Sequence, residues 1–295
     1  MSKTIIIAEI GECFNGDLDN AKKLIDIARE AGCDIAKFQT LDYDNINPND
    51  PEREWFEKIS LDLPKIKYLV DYGKSVGIKI MFTPENVKTA RWILEVGLKA
   101  IKIASSTMAD LELVKFINDN FDIVFISTGM ATLEEVDAAV AALNKIKELY
   151  ILHCISEYPT GPLLEERGLK ALSSEDVHLQ MMTILKERFP KQHVGYSDHT
   201  DGILAPIIAV AMGAAVIEKH VTLDRKTPVE NYKNGKAYLG TDHILSLEPD
   251  ELRAMVKQIR EVEKMLGEKR WERTEGEKIL RTFLRGRFQN ANARS

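Results

Sequence analysis

The sequence predicts an α/β protein folded as a TIM-type (β/α)8 barrel, and three observations carry that expectation. Eight short apolar, β-branched runs recur along the 295 residues. Amphipathic segments at helical spacing separate them, and nearly every run ends in polar residues that are costly to bury without a purpose. The runs are residues 4–9, 35–39, 78–82, 100–104, 123–127, 149–153, 194–197 and 215–220. Strand then helix, eight times over, is the order of a barrel. A doubly wound open sheet alternates too, but no GxGxxG follows the first strand and no GxxxxGK[ST] occurs anywhere.

The elements follow in order. After the first strand, Leu18, Ala21, Leu24, Ile25 and Ala28 fall on one helical face, with Asp17 or Asp19 placed to cap it. Thr132-Leu-Glu-Glu135 is a capping-box pattern opening a helix through Leu143. Leu252, Met255, Val256, Ile259, Val262 and Leu266 form another stripe after Pro249. Two connections are enlarged, residues 41–61 and 225–243, and in a barrel both lie over the active-site mouth. No linker-like stretch divides the chain, so one catalytic barrel is expected over residues 1–267, followed by a basic helical extension or tail over 268–295.

Composition limits the function classes. With 44% hydrophobic and 29% charged residues, the chain can bury a substantial core. The apolar run at 4–9 is far too short for a membrane span and no signal-peptide cleavage region follows, so a cytoplasmic protein without a membrane partner is expected. Cys13, Cys33 and Cys154 show no CxxC spacing, which argues against a disulfide framework or a thiolate zinc site and leaves buried thiols. A net charge of −6 disfavours nucleic acid. The locally basic stretch 269–287 reads as a solvated face or as a contact for a neighbouring subunit, and a homodimer or higher homo-oligomer is expected.

The strand ends carry the chemistry. Glu9, Lys37 with Gln39, Thr83, Lys102 with Ser105, Ser127, His153, Ser197 with His199, and Glu218 with His220 all fall where barrel active sites are built. Side chains alternate along a strand, so Lys37 and Gln39 share a face, as do Glu218 and His220. Any one of these residues alone reads equally well as a satisfied buried polar group; eight ends behaving alike weigh against that. Two lysines among the hydroxyls of Thr83, Ser105, Ser127 and Ser197 suit a multiply charged oxyanion, phosphate or phosphate plus carboxylate. A Schiff-base lysine is the competing reading. His199 and His220, with Glu218 close by and Asp242 on the following loop, resemble a site for a divalent metal. Manganese is favoured, with magnesium, cobalt or zinc compatible. His153 is expected behind the site; His178, His193 and His243 have no stated partner and read as structural.

Taken together, Ala8-Glu-Ile-Gly11, Asn15-Gly-Asp17, Lys37-Phe-Gln-Thr40, Lys102-Ile-Ala-Ser105, Ser127-Thr-Gly-Met130, His153-Cys154, Tyr158-Pro159, Gly195-Tyr-Ser-Asp-His-Thr200 and Glu218-Lys-His220 resemble the sialic acid synthase family. The match runs in order from about Ile5 to Gly267. The resemblance implies that Lys37, Thr83, Lys102, Ser105, Ser127, Ser197 and Tyr158 hold phosphoenolpyruvate. Ser156 stands at a contact position, and Gln39, Glu218 and Asp242 join the substrate-binding set. It implies that His199 and His220 bind the metal, and that C3 of phosphoenolpyruvate adds to a sugar aldehyde. Water then adds at C2, phosphate leaves, and a 2-keto-3-deoxy acid of the nonulosonic type remains. Glu9 is the candidate for handling a proton or water near C2.

Three departures from the family pattern concern the acceptor. Cys13-Phe14 stands where the family has Asn-His, Thr107 stands where a glutamate is common, and the family's C-terminal antifreeze-like domain is expected to be missing. The acceptor is therefore expected to be an aldehyde, not necessarily N-acetylmannosamine or its 6-phosphate, the usual family acceptors. The 225–243 connection, carrying Asn231, Tyr232, Lys233 and Asn234, either closes over the acceptor or is a surface insertion. The alternatives are a Schiff-base or metal-dependent barrel aldolase or hydrolase, and a non-catalytic barrel that binds a phosphorylated ligand.

Overall fold

The computed structural model describes residues 3–50, 52–157, 172–227, 232–233, 236–237, 241–268 and 271–287. Eight parallel strands form one sheet: β1 (Ile5–Gly11), β2 (Ile35–Thr40), β3 (Lys79–Pro84), β4 (Ala100–Ile103), β5 (Ile123–Ser127), β6 (Glu148–Cys154), β7 (His193–Asp198) and β8 (Val216–His220). Their order is β3-β2-β1-β8-β7-β6-β5-β4, and β3 also lies against β4, so the sheet curls into a barrel that lacks a backbone ladder at that one seam. All eight strands read from the sequence are present, each within two residues of its expected start and end.

Helices follow the strands because their apolar stripes need the sheet's outer face. α1 (Leu18–Ala31) starts at Asp17, whose carboxylate accepts from the Asp19 amide, and buries Ala21, Leu24, Ile25 and Ala28. The 41–61 connection contains a helix of its own, α2 (Arg53–Ile59), ahead of α3 (Leu63–Val76). Trp55 Nε1 pins α2 to the β1–α1 loop by donating to Glu12 Oε2 at 2.7 Å. Next come α4 (Val87–Glu95), α5 (Leu111–Asn120) and α6 (Leu133–Ala142), the last opened by the Thr132–Glu135 capping box. After them come α7 (Met181–Arg188) and α8 (Leu204–Ala211). Within 225–243 a short antiparallel ladder joins β9 (Tyr232–Lys233) to β10 (Lys236–Ala237), and α9 (Thr241–Leu245) carries Asp242 and His243. α10 (Pro249–Leu266) buries Leu252, Met255, Val256 and Ile259. The chain divides into two compact units, one of residues Ser2–Met265 and a smaller one of Met1 with Leu266–Ser295, the latter containing α11 (Glu275–Arg285).

Two apolar regions fill the larger unit. The outer one lies between strands and helices; the inner one, Ile7, Ile35, Met81, Phe125, Tyr150, Leu152 and Val216, plugs the barrel's interior. No described helix is long and apolar enough to cross a membrane. All three cysteines are free and buried.

Candidate active site

The site sits two residues further along the strands that form the plug. Ile7 is followed at the same face by Glu9, Ile35 by Lys37, Met81 by Thr83, Phe125 by Ser127, Leu152 by Cys154 and Val216 by Glu218. These polar side chains line a cavity of about 290 Å³ at the C-terminal ends of the strands. Gln39, Lys102, Ser105, Ser156, Ser197, His199 and His220 line it too. Every site residue read from the sequence except Asp242 and Tyr158 is therefore brought together. Tyr158 lies outside the described residues. Asp242 stands behind the cavity wall, its Oδ2 3.6 Å from His220 Nδ1.

The centre is an ion-pair network. Glu218 Oε1 accepts from Lys102 Nζ at 2.7 Å and from Ser197 Oγ at 2.8 Å, and Glu218 Oε2 stands 3.5 Å from Lys37 Nζ. Lys37 also contacts Glu9 and donates to Thr83 Oγ1 at 2.9 Å. Burial pushes the Lys37 ammonium down to about 7, with Glu218 opposing that shift and Lys102 reinforcing it. Burial would likewise push Glu218 up, but Lys102 and Lys37 together hold its carboxyl well below the usual range. Below about pH 7 two ammonium groups and two carboxylates thus balance within the wall. Among the described residues five buried side-chain atoms make no hydrogen bond, and four belong to this cavity: Glu9 Oε1, Ser127 Oγ, Glu218 Oε2 and His220 Nδ1.

Backbone geometry fixes the rim. β1 shifts register between Glu9 and Gly11, a bulge that re-aims the strand end. A Cβ on Gly11 would stand 2.9 Å from Asp242 Oδ2 and 3.3 Å from Glu9 Oε1, so only glycine lets these carboxylates converge. Gly129, in the left-handed region at φ 38°, passes beneath the Ser105–Ser156 hydroxyl pair (2.9 Å), and a Cβ there would collide with both serines.

The two imidazoles are neighbours, with ring centroids 5.5 Å apart. Burial pushes both below the ordinary histidine range, and His220 is lowered further by His199, so both are neutral near pH 7. His199 Nδ1 must be the protonated nitrogen because it lies 2.8 Å from the Ile155 carbonyl, which leaves the ring's lone pair on Nε2. Among the described residues no group of three or more His, Cys, Asp or Glu side chains is arranged as a metal cage.

The structure refines several sequence expectations. His153, expected behind the site, points to the outer side of β6, with Nε2 2.8 Å from the Val177 carbonyl. The thiol of its neighbour Cys154 is buried, as the sequence suggests, but it also lines the site, and burial pushes it up to about 11. Cys13 and Phe14 are core residues: Phe14 packs edge-on against Phe38 at 5.9 Å, and Cys13 Sγ lies 3.5 Å from Ser246 Oγ. Neither they nor Thr107 lines this cavity. Met130, two-thirds exposed, stands on the rim and was not singled out.

Sequence reasoning also missed the brace behind the histidines. Lys219 is fully buried and donates to Asp198 Oδ2 at 2.7 Å, while Tyr196 donates to Asp198 Oδ1 at 2.7 Å. Both members alternate with site residues, Asp198 between Ser197 and His199 and Lys219 between Glu218 and His220, which is the signal that finds them. His243 bridges Thr222 Oγ1 at 2.6 Å and Asn15 Oδ1 at 2.9 Å, tying the β1–α1 loop to the end of β8.

Fold and site together define a barrel enzyme with a buried, charged cavity at the C-terminal ends of its strands. A model of the NeuB family matches residues 24–271, and the chain belongs to that family. It is 38% identical over 287 residues to the N,N'-diacetyllegionaminic acid synthase of Campylobacter jejuni, covering 91% of this chain and 79% of that one. To the Homo sapiens N-acetylneuraminate-9-phosphate synthase it is 32% identical over 279 residues, covering 89% and 71%. Among solved structures it resembles the N-acetylneuraminic acid (sialic acid) synthetase of Leptospira borgpetersenii in complex with citrate. That match has a TM-score of 0.83 and 28% identity, over 98% of this chain and 93% of that one. The chain is accordingly an enzyme of the sialic acid synthase type.

Proposed function

We propose that this enzyme condenses phosphoenolpyruvate with an N-acylated amino-sugar aldehyde, releasing phosphate and a nonulosonic-type 2-keto-3-deoxy acid. The observation that carries the reading is the cluster of three buried polar atoms without a hydrogen-bond or ion-pair partner, Glu9 Oε1, Ser127 Oγ and the neutral His220 Nδ1, around two buried lysines in one cavity. Each such atom costs about 1–3 kcal/mol unless a ligand satisfies it. The relatives named as legionaminic and N-acetylneuraminate-9-phosphate synthases support a sugar acceptor.

In this reading Lys37 and Lys102 receive the phosphate and carboxylate, and Thr83, Ser105, Ser127, Ser156 and Ser197 orient the oxyanions by directed hydrogen bonds. Glu218 holds both lysines in position through its two oxygens. Glu9, whose Oε1 is buried and unpartnered, is placed to accept a proton from the water that adds at C2. Gln39 and Asp242 belong to the acceptor side, and Tyr158 keeps its proposed role in holding phosphoenolpyruvate.

A divalent ion fits this wall for two reasons. The pair of neutral imidazoles includes an unpartnered buried Nδ1, and the wall's lysines and carboxylates cancel, leaving the charge of a polyanionic substrate uncompensated. His199 and His220 would hold it, with water or substrate oxygens completing the shell; when bound it would polarise the acceptor aldehyde. Replacing both histidines with alanine should abolish manganese binding measured by calorimetry while the fold persists. Unchanged affinity in that double variant would sink the assignment.

A second reading, a Schiff-base aldolase, draws on Lys37, because an ammonium pushed down to about 7 is an available amine at neutral pH. One experiment separates them. Phosphate release is followed with phosphoenolpyruvate, manganese and a panel of aldehydes, beside borohydride reduction in the presence of pyruvate. Aldehyde-dependent phosphate release is expected, with a diacetamido sugar preferred over N-acetylmannosamine. No release with any aldehyde, together with pyruvate trapped on a lysine, would overturn the condensation reading.

A further inference from the structure

The two cavity histidines lie where backbone pairing gives out. Among the described residues the β7–β8 ladder pairs Tyr196 with Ile217, Ser197 with Glu218 and Asp198 with Lys219, and ends there. His220 is still paired on its other side, with Glu9 of β1, but His199 follows the last residue of β7. Ladder bonds therefore do not fix one imidazole against the other, although the rings stand 5.5 Å apart in the wall of one cavity.

Side chains take over that task. The Ile155 carbonyl orients the His199 ring, and the backbone beneath the ring is gripped from both sides. Asp198 Oδ1 accepts from the Thr200 amide at 3.1 Å, and Asp198 Oδ2 accepts from Thr200 Oγ1 at 3.1 Å. From the next strand, Lys219 Nζ donates to Asp198 Oδ2 at 2.7 Å and also to the Thr200 carbonyl. Lys219 thus holds residues 198 and 200, on either side of one histidine, and immediately precedes the other. Asp198 and Lys219 are 1% and 0% exposed. A buried ion pair is often no more stabilising than well-packed apolar side chains of similar volume, so stability alone is a poor reason for one here. A buried network whose members are all satisfied does, however, hold its atoms rigidly. We propose that the Asp198–Lys219 pair is a positioning device that sets the separation of His199 and His220, and with it the affinity for a divalent ion. The inference rests on the reading of these two histidines as the metal's holders.

The test is calorimetric titration of the whole chain with manganese alone, without substrate. Asp198→Asn with Lys219→Met leaves no buried charge and keeps an oxygen for Tyr196 and the Thr200 amide, but removes the donor to the Thr200 carbonyl. Manganese affinity should fall about 10- to 100-fold, the range for losing a partner behind a metal ligand, and the electron paramagnetic resonance spectrum of the bound ion should change. Asp198→Asn with Lys219→Gln keeps a donor for that carbonyl and should recover part of the affinity; it carries the test if circular dichroism shows the first pair of substitutions unfolded. Tyr196→Phe is the control. It removes the 2.7 Å bond to Asp198 Oδ1 but leaves the grip of Lys219, so the melting temperature should drop while manganese affinity stays within a few-fold of the parent. Parent affinity in the folded double variants, or affinity that merely tracks melting temperature across all three proteins, would overturn the inference and leave the metal reading standing. Manganese affinity that survives His199→Ala with His220→Ala would overturn both.

Discussion

The floor and the mouth of the barrel come from the same strands, two residues apart, and they solve burial in opposite ways. On the floor, Phe125 stacks on Tyr150 at 4.6 Å and Tyr150 on His193 at 4.7 Å, while Leu152 and Val216 are fully enclosed. Packing satisfies everything there. In the mouth, buried carboxylates and ammonium groups offset one another only in part, and four polar atoms make no hydrogen bond. The difference teaches where unsatisfied polarity is concentrated: at the end where a ligand can supply the missing partners, over a plug that holds the strands in place regardless.

The largest effect is expected where the mouth's pairing is cut. Lys102→Met leaves Glu218 buried with Lys37 alone, at 3.5 Å. Breaking a buried ion pair from one side costs about 3–5 kcal/mol. The sequence alone would have Lys102→Met weaken phosphoenolpyruvate binding and spare the fold; the observed pairing makes it damage both. Adding Glu218→Gln should restore most of the stability in urea denaturation without restoring phosphate release. A single variant as stable as the parent would mean the two ends are not differently built.

The floor supplies the control. Leu152→Ala should cost about 2–5 kcal/mol by leaving a cavity, yet phosphoenolpyruvate affinity should stay within a few-fold of the parent at temperatures where the variant is folded. A matching collapse of affinity would show that the plug shapes the site directly.

How much of this was legible follows from the same comparison. The floor-then-mouth alternation is written in the strands as an apolar residue followed at i+2 by a polar one, so Glu9, Lys37, Thr83, Ser127 and Glu218 were readable as one constellation. Parity is less secure at a strand's last residue, so Cys154 was not legible as a lining residue. The Lys102–Glu218 pair was not legible, because its members lie 116 residues apart and meet only when the barrel curls. Cys13 and Phe14 show the limit of a motif: a residue within one can still turn its side chain into the core. The α2 helix inside residues 41–61 escaped notice because a seven-residue helix offers barely two turns of periodicity.

A smaller effect is expected at Gly129. An added methyl collides with Ser105 and Ser156 and must part their hydroxyls. Gly129→Ala should therefore weaken phosphoenolpyruvate binding by about 1–3 kcal/mol, the cost of one or two mispaired hydroxyls, with a smaller loss of stability. If binding is untouched, these two serines lie outside the phosphoenolpyruvate contacts.

The smallest effect reports on the mouth's charge state. A free lysine keeps its proton to about pH 10.4, but burial pushes Lys37 down to about 7. At pH 8 the unliganded enzyme therefore holds Lys37 mostly neutral, and a polyanion arriving beside it must raise its proton affinity. The sign follows: binding takes up a fraction of a proton at pH 8 and little at pH 6, where Lys37 is already charged. Affinity is highest below about pH 7 and falls above it, by at most about tenfold per pH unit until the complex's own transition is reached. His199 and His220 do not contribute at pH 8, since burial pushes both below the ordinary histidine range. The measurement is calorimetric titration of phosphoenolpyruvate at pH 8 in buffers of different ionisation enthalpy. Lys37→Arg is the control, because a guanidinium stays charged and has no proton to gain. Uptake in the parent that vanishes in the variant assigns the proton to Lys37. Uptake that persists in Lys37→Arg moves it to the ligand's phosphate, and no uptake at all would mean that Lys37 already carries its charge in the empty mouth, held there by Glu218 and Glu9.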